Sequence, residues 1–283
     1  MTIRDCNTLI EEGVSLKQIA QAYGEIASLK VRKIRVEVEK NRAFFNEISK
    51  VYQIVKQQAA AKKIAINKPK KTLSIVLTSN YRFYGGIDSQ VLRHFIINTA
   101  KIATDRLVIG KTGHEYLKAM RYFNTYQQAE TSKDLPSFQE LNKLSPIIKN
   151  YSQVLVFYPQ LITLLNQKPV ITDITELPQQ DLFGEQPDKK LVASYVIFEP
   201  ELKNIVEFFD SQIILLLLEQ TFFESELART ASRLLAMDHA QVEANNFIKE
   251  QKMNKAHLIR GIENVQLLES VAALRVTRKG KGL

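Results

Sequence analysis

The sequence has one cysteine, Cys6, among 283 residues, and no tryptophan. A lone cysteine excludes an intramolecular disulfide framework, and the four histidines are too scattered to form a Cys/His metal constellation. His94 and His114 fall in different expected elements, and His239 and His257 on a terminal helix, so all four are read as structural or surface residues. Long hydrophobic runs are missing too. The longest, residues 213–218, is bounded by Gln212 and Glu219 and falls well short of the ~18 residues a membrane span needs. Residues 1–5 have neither the apolar core of a signal peptide nor the acid-poor, Arg-rich character of an organelle presequence, so a cytosolic location is expected.

Signatures of nucleotide and hydrolase chemistry are absent as well. Gly110-Lys111-Thr112 would end a phosphate-binding loop only if a glycine stood five residues earlier, where the chain has Asp105. Tyr84-Gly85-Gly86 lies between an expected strand and an expected helix, the place of a dinucleotide-binding loop, yet G-x-G-x-x-G is not there. There is no G-x-S-x-G. No catalytic residue, metal ligand or cofactor is therefore expected.

Proline and glycine are scarce at the two ends of the chain, and that scarcity is informative. After Glu199-Pro200 no further proline occurs, and no glycine before Gly261, which predicts one very long helix over residues 198–274. Leu227, Ala231, Leu234, Leu235, Val242 and Phe247 form its expected apolar stripe, with Glu226, Arg229, Arg233, Asp238 and Glu243 on other faces. At about 1.5 Å per residue it would be on the order of 100 Å long, more than a domain of this size is wide, and so is expected to protrude. Residues 8–63 contain no proline and only Gly13 and Gly24, predicting a second long helix. Ile19, Ala22, Ile26, Leu29, Lys30 and Lys33 follow one another there at spacings of three and four, and Val31, Val38, Phe45, Ile48, Tyr52 and Val55 continue an apolar side. The simplest way to bury both stripes is an antiparallel two-helix coiled coil.

Between the helices the pattern changes to strands alternating with helices. Strands are expected at 72–78, 105–110, 153–158, 169–174 and 192–198, and helices at 87–103, 114–121 and 137–149. Residues 160–177 read as a helix-like connection leading into the 169–174 strand, and 179–190 as a surface loop. The expected fold is α/β with long terminal helices. A small Rossmann-like domain at 67–198, with a largely parallel sheet, is inserted between coiled-coil helices at 1–66 and 199–283. The basic, proline-marked segment 68–71 serves as the hinge.

The net charge of +9 permits an acidic partner without naming its class. Basic residues concentrate at Lys30, Arg32, Lys33, Arg35, Lys40 and Arg42, where the plain reading is a solvated helix face and the functional one an electrostatic contact surface. The tail at 275–283 is basic too, most simply a frayed end. A nucleic-acid-binding role for these charges lacks a recognition module or an aromatic-interleaved basic ribbon.

Several segments together resemble the gamma subunit of F-type rotary ATP synthases. Residues 19–33 are similar to the family's K-I-T-K-A-M-x-M-V-A-A-S-K-M-R-K segment. Residues 75–88 resemble its strand and loop ending S-T-D-R-G-L-C-G-G-L-N, with Asn80, Tyr81, Arg82, Phe83 and Tyr84 in place of D-R-G-L-C. Tyr158 and 166–169 resemble its Y-N-x-F…S-Q-x-P segment, Glu199-Pro200 the E-P opening its last helix, and 225–240 its E-x-x-x-R-M-x-A-M-x-x-A signature. The resemblance implies a non-catalytic central-stalk subunit, present once per complex. Its partners would be a hexamer of alternating alpha and beta subunits, an epsilon subunit and a c-subunit ring. It would couple ion flow to conformational cycling of beta, at the cytoplasmic face of a bacterial plasma membrane. By the same resemblance Lys30, Arg32 and Lys33 would face acidic levers of beta, Arg233 and Met237 belong to the shaft signature, and Tyr84, Gly85 and Gly86 to the loop of the foot domain. The residues alone also admit a stand-alone coiled-coil adaptor carrying an α/β module. Plainer roles stand beside the implied ones: Met237 as core packing and Gly85-Gly86 as a turn.

Overall fold

The computed structural model describes residues 2–61, 71–175 and 201–279. The expected strand at 192–198, the loop at 179–190 and most of the 68–71 hinge lie outside the described residues. Two long helices begin and end the chain, α1 (Ile3–Ala61) and α5 (Leu202–Lys279). Between them come β1 (Thr72–Leu77), α2 (Ile87–Thr99), β2 (Asp105–Ile109), α3 (Lys111–Ala119), β3 (Gln127–Ala129), α4 (Phe138–Ile148), β4 (Gln153–Thr163) and β5 (Asn166–Asp173). The chain separates into two compact units, Ala27–Arg233 and a unit made of Met1–Ile26 with Leu234–Leu283.

In the larger unit the strands form one sheet in the order β3-β2-β1-β4-β5, parallel except for the antiparallel β4–β5 pair. The β1 register sets Ile75 beside Leu107 and Val156. Both faces are covered, which is why these strands are nearly continuously apolar. Ile75, Leu77, Leu107, Ile109, Val154 and Val156 face Phe45 and Tyr52 of α1, Leu141, Leu144 and Ile148 of α4, and the Ile213 to Phe222 stretch of α5. Val76, Val108 and Phe157 face Val91, Leu92 and Phe95 of α2 and Leu117 of α3. Helix α4 starts in a reciprocal capping box, Ser137 accepting from the Glu140 N–H while the Glu140 carboxylate accepts from the Ser137 N–H.

The expected helix-like connection over residues 160–177 is not made in its described part. Residues 160–173 complete β4 and turn back as β5 in a hairpin, with Tyr158 paired to Val170. The apolar run Leu161, Ile162, Leu164 and Leu165 is too short to tell strand from helix by periodicity, and cross-strand pairing decides it. The three-residue β3, Gln-Gln-Ala, carries no apolar alternation and has no counterpart among the expected strands.

In the smaller unit α1 and α5 pair antiparallel, Gly13 against Ile248 and Gly24 against Met237. The buried line on α1 is not the expected one. Ile19 and Ile26 are 53% and 56% exposed, while Cys6, Gly13, Ala20 and Gly24 are buried. Helices in close approach select small side chains at the seam and leave the large aliphatics outside. A hydrophobic count along the helix therefore picks the wrong face. Among the described residues no helix is long and apolar enough to cross a membrane.

Candidate functional site

In the larger unit, helix α5 meets the loop that follows β1, and charged side chains expected on solvated faces are buried there. Glu226 and Arg229 are fully buried, and Arg233 is 7% exposed. The loop that covers them explains their burial. It leaves β1 through Thr78, whose hydroxyl donates to the Ile109 carbonyl at 2.7 Å, and crosses the ends of the parallel strands. Asn80 then accepts the Lys111 N–H at 3.1 Å, and its own N–H donates to Asp134 at 2.6 Å. Beyond it the backbone turns through left-handed conformations at Phe83 (φ 70°) and Gly85 (φ 63°), and at 85 glycine adopts that conformation without the steric cost a Cβ would bring. Gly86 has an ordinary φ of −94° and open space around it, and serves neither purpose. The glycine of close approach is Gly110, with φ of 103° and an added Cβ only 2.3 Å from the Thr78 carbonyl oxygen.

The loop is strapped to one turn of α5. Ser232 Oγ donates to the Tyr84 carbonyl at 2.9 Å, and Arg233 Nη2 donates to the Arg82 carbonyl at 2.9 Å. The Arg233 guanidinium also lies over the Tyr84 ring, whose hydroxyl donates to Asp134 at 2.6 Å. Burial, with the negative charges of Glu226 and Asp134, pushes the Tyr84 hydroxyl well above its ordinary value and keeps it a donor. Arg82 and Tyr84 are two of the positions where the loop departs from the pattern it resembles. Their role was not legible, because a carbonyl contact and a ring face leave no motif.

Beneath the loop, Arg229 pairs with Glu226 at 3.4 Å, and Glu226 also pairs with Lys30 of α1. Burial works against the Arg229 charge, but Glu226, Asp88 and Asp134 outweigh it and hold the guanidinium above its ordinary value. Asp88, in the first turn of α2, bonds to the Ser79 hydroxyl. Burial pushes its carboxyl up, opposed by Arg229 and Ser79. A second polar joint centres on Glu224, which accepts from Arg42 at 2.7 Å, Gln220 at 3.1 Å and Tyr158 at 3.0 Å, joining α1, β4 and α5.

The structure thus gathers Tyr84, Gly85 and Arg233, with Lys30 nearby through Glu226. Met237 is elsewhere, against Gly24 in the smaller unit, as seam packing. The three basic residues divide. Lys30 is half-buried and spent on Glu226, whereas Arg32 and Lys33 are exposed. Around them Arg35, Lys40, Arg42 and Lys50 each pair with a carboxylate within the chain, and Arg32 and Lys33 have no such pair among the described residues. Leu29 and Val36, also exposed, share their face of α1.

A family model described as ATP synthase matches residues 2–257. The ATP synthase gamma chain of Clostridium novyi (strain NT) is 24% identical over 246 residues, covering 82% of this chain and 83% of that protein. Among solved structures, a chain of the Euglena gracilis mitochondrial ATP synthase rotor superposes with a TM-score of 0.67 at 13% identity, covering 92% of this chain and 98% of that one. A chain of the Tetrahymena thermophila mitochondrial ATP synthase central stalk and c-ring superposes with a TM-score of 0.59 at 21% identity, covering 78% and 99%.

Proposed function

The chain belongs to the ATP synthase gamma family, and from that membership we propose that it is the central-stalk rotor of a rotary ATPase. In this reading it carries no catalytic group of its own. One copy sits within a hexamer of alternating alpha and beta subunits, and the α/β domain meets an epsilon subunit and a c-subunit ring. The complex stands at the cytoplasmic face of the plasma membrane. The family match over residues 2–257 is the observation that carries the proposal.

The chain's own residues suit the task in two ways. A paired helix is stiffer than a single one, and torque needs a stiff element. The exposed Arg32 and Lys33, beside Leu29 and Val36, suit an acidic and partly apolar lever on beta. Attraction between exposed charges is screened and soft, so such a contact guides without welding. Turning an asymmetric shaft then biases each beta site in turn toward a different nucleotide affinity, a population shift driven from outside the site.

Affinity purification of the tagged chain from its own cells tests this. One copy per nucleotide-binding hexamer is expected, with ATP hydrolysis in the purified complex. Recovery of the chain alone, or in equal number with every hexamer subunit, overturns the reading.

A further inference from the structure

Glu224 of α5 is 6% exposed and serves none of the partner surfaces proposed above. Its two carboxylate oxygens serve different elements. Oε1 accepts from Arg42 of α1 at 2.7 Å and from Gln220, one turn earlier on α5, at 3.1 Å. Oε2 accepts from the Tyr158 hydroxyl at 3.0 Å and, at a longer 3.5 Å, from the Gln160 amide, both on β4. The Tyr158 oxygen in turn accepts from the Thr172 hydroxyl of β5 at 3.3 Å. Tyr158 is itself buried, and burial with the Glu224 charge pushes its hydroxyl well above its ordinary value, so it stays a donor. A carboxylate accepts with both oxygens, which this arrangement needs. An amide in its place would turn its oxygen either to the helices or to the strand, and its NH2 against the donors of the other.

What such a group supplies is direction. Leu218 and Phe222 hold α5 against the sheet, and Phe223 and Leu227 pack with Ile34 and Val38 of α1. Hydrophobic contact is non-directional, however, and resists rotation about the helix axis weakly. Charge-assisted hydrogen bonds depend on angle and strengthen in a low-dielectric interior. Lys30 with Glu226, and Tyr52 with Asp210, join α1 to α5, while Ser232 and Arg233 join α5 to the loop after β1. Glu224 joins both helices at once to β4, a strand that is itself hydrogen-bonded on its two sides, to β1 and to β5.

We propose that the Glu224 carboxylate is the torque joint of the rotor, the point at which a turn of the sheet is passed to both helices, with Glu224 a positioning residue. The inference rests on the rotor reading. Turning the sheet against the helices has to draw Tyr158 from Oε2 while Arg42 holds Oε1, so the carboxylate acts as a short link between them. Both helices continue past this unit without a break.

The test uses the whole complex and two readouts: ions taken up by vesicles per ATP hydrolysed, and the angular fluctuation of a bead fixed to the α/β domain while the hexamer is held on a surface. Glu224→Gln keeps the shape and removes one of the two accepting oxygens. Expected is assembly with near-normal ATP hydrolysis, a several-fold lower uptake per ATP and a wider angular spread. Tyr158→Phe, which keeps Glu224 on Arg42, is expected to shift both readouts the same way by less. Unchanged uptake per ATP in Glu224→Gln overturns the proposal, and so does lower uptake with an unchanged angular spread, since the loss then lies elsewhere. If Glu224→Gln does not assemble, Tyr158→Phe decides by the same two criteria. Failure of both variants to assemble makes the carboxylate a folding contact and overturns the proposal too. Absence of ATP-driven uptake in the wild-type complex would instead strike the rotor reading.

Discussion

The guanidinium of Arg233 lies 3.8 Å from the centre of the Tyr84 ring, and the same ring's hydroxyl donates to Asp134. One aromatic side chain therefore joins a cation on α5 to an anion on a loop. A desolvated cation–π contact contributes about 2 kcal/mol and a hydrogen bond to a charged group about 1.5–3 kcal/mol. Tyr84→Phe keeps the ring under Arg233 but takes the donor from Asp134, and is expected to destabilise the larger unit by about 2 kcal/mol. Arg233→Ala is expected to cost at least as much, since it also deprives the Arg82 carbonyl. Urea denaturation of the purified chain measures both; wild-type stability in either variant would contradict the strap.

The division among the basic residues of α1 gives a second expectation. Arg32→Glu with Lys33→Glu changes only exposed side chains and should leave folding within about 0.5 kcal/mol of wild type. It should nevertheless weaken hexamer binding or coupling. Lys30→Ala should do the reverse, leaving the buried Glu226 paired with Arg229 alone and costing about 1–3 kcal/mol of stability. Thermal melts beside ATP-driven ion uptake separate the two. Equal effects of both variants on folding would contradict the division.

Much of the fold could be read from residue patterns because its signals are local. The apolar run of β1, the Ser137 cap of α4 and the long spans without proline and glycine each declare an element. The buried face of α1 could not be read so, since at Gly13, Ala20 and Gly24 it is set by the nearness of another helix. Arg229 could not be placed either. A charged residue at helical spacing reads as solvated unless its surroundings are known, and Asp88 and Asp134, whose charges help hold the guanidinium ionised, lie more than ninety residues away in sequence. Lys30, Arg32 and Lys33 were visible as a group, but which of them pairs within the chain depends on Glu226, which only the tertiary fold brings near.

The glycines of the smaller unit should respond in opposite senses to one methyl group. At Gly24 an added Cβ would meet Gln241 at 3.4 Å and Met237 at 3.7 Å, ordinary contacts, and at Gly261 nothing lies within 4 Å. Each alanine there should stabilise α1 or α5 by about 0.5–1 kcal/mol. At Gly13 the Cβ would lie 2.9 Å from Ile248 Cγ1 and 3.1 Å from Phe247 Cδ1, so those side chains must shift. Gly13→Ala should cancel or reverse the propensity gain. Helix melting followed by circular dichroism ranks the three, and Gly13→Ala as the most stabilising would contradict the seam.

Glu140 makes a prediction about acid. Backbone N–H groups of Ser132 and Ser137 donate to its carboxylate and lower its pKa from 4.5 to about 2. The folded value lies below the unfolded one, so the stabilisation is complete above the unfolded value and is lost as pH falls toward about 2. At neutral pH the wild type should therefore be more stable than Glu140→Gln, whose amide still caps α4 without the charge. Below 4.5 the unfolded chain takes up the proton first, the wild type loses its advantage, and the two melting curves should converge near pH 2. The carboxyl resonance of Glu140, followed by NMR, should titrate in the same window. A constant gap between the variants across the acid range, or an ordinary titration midpoint, would show that the two backbone donors do not hold this carboxylate.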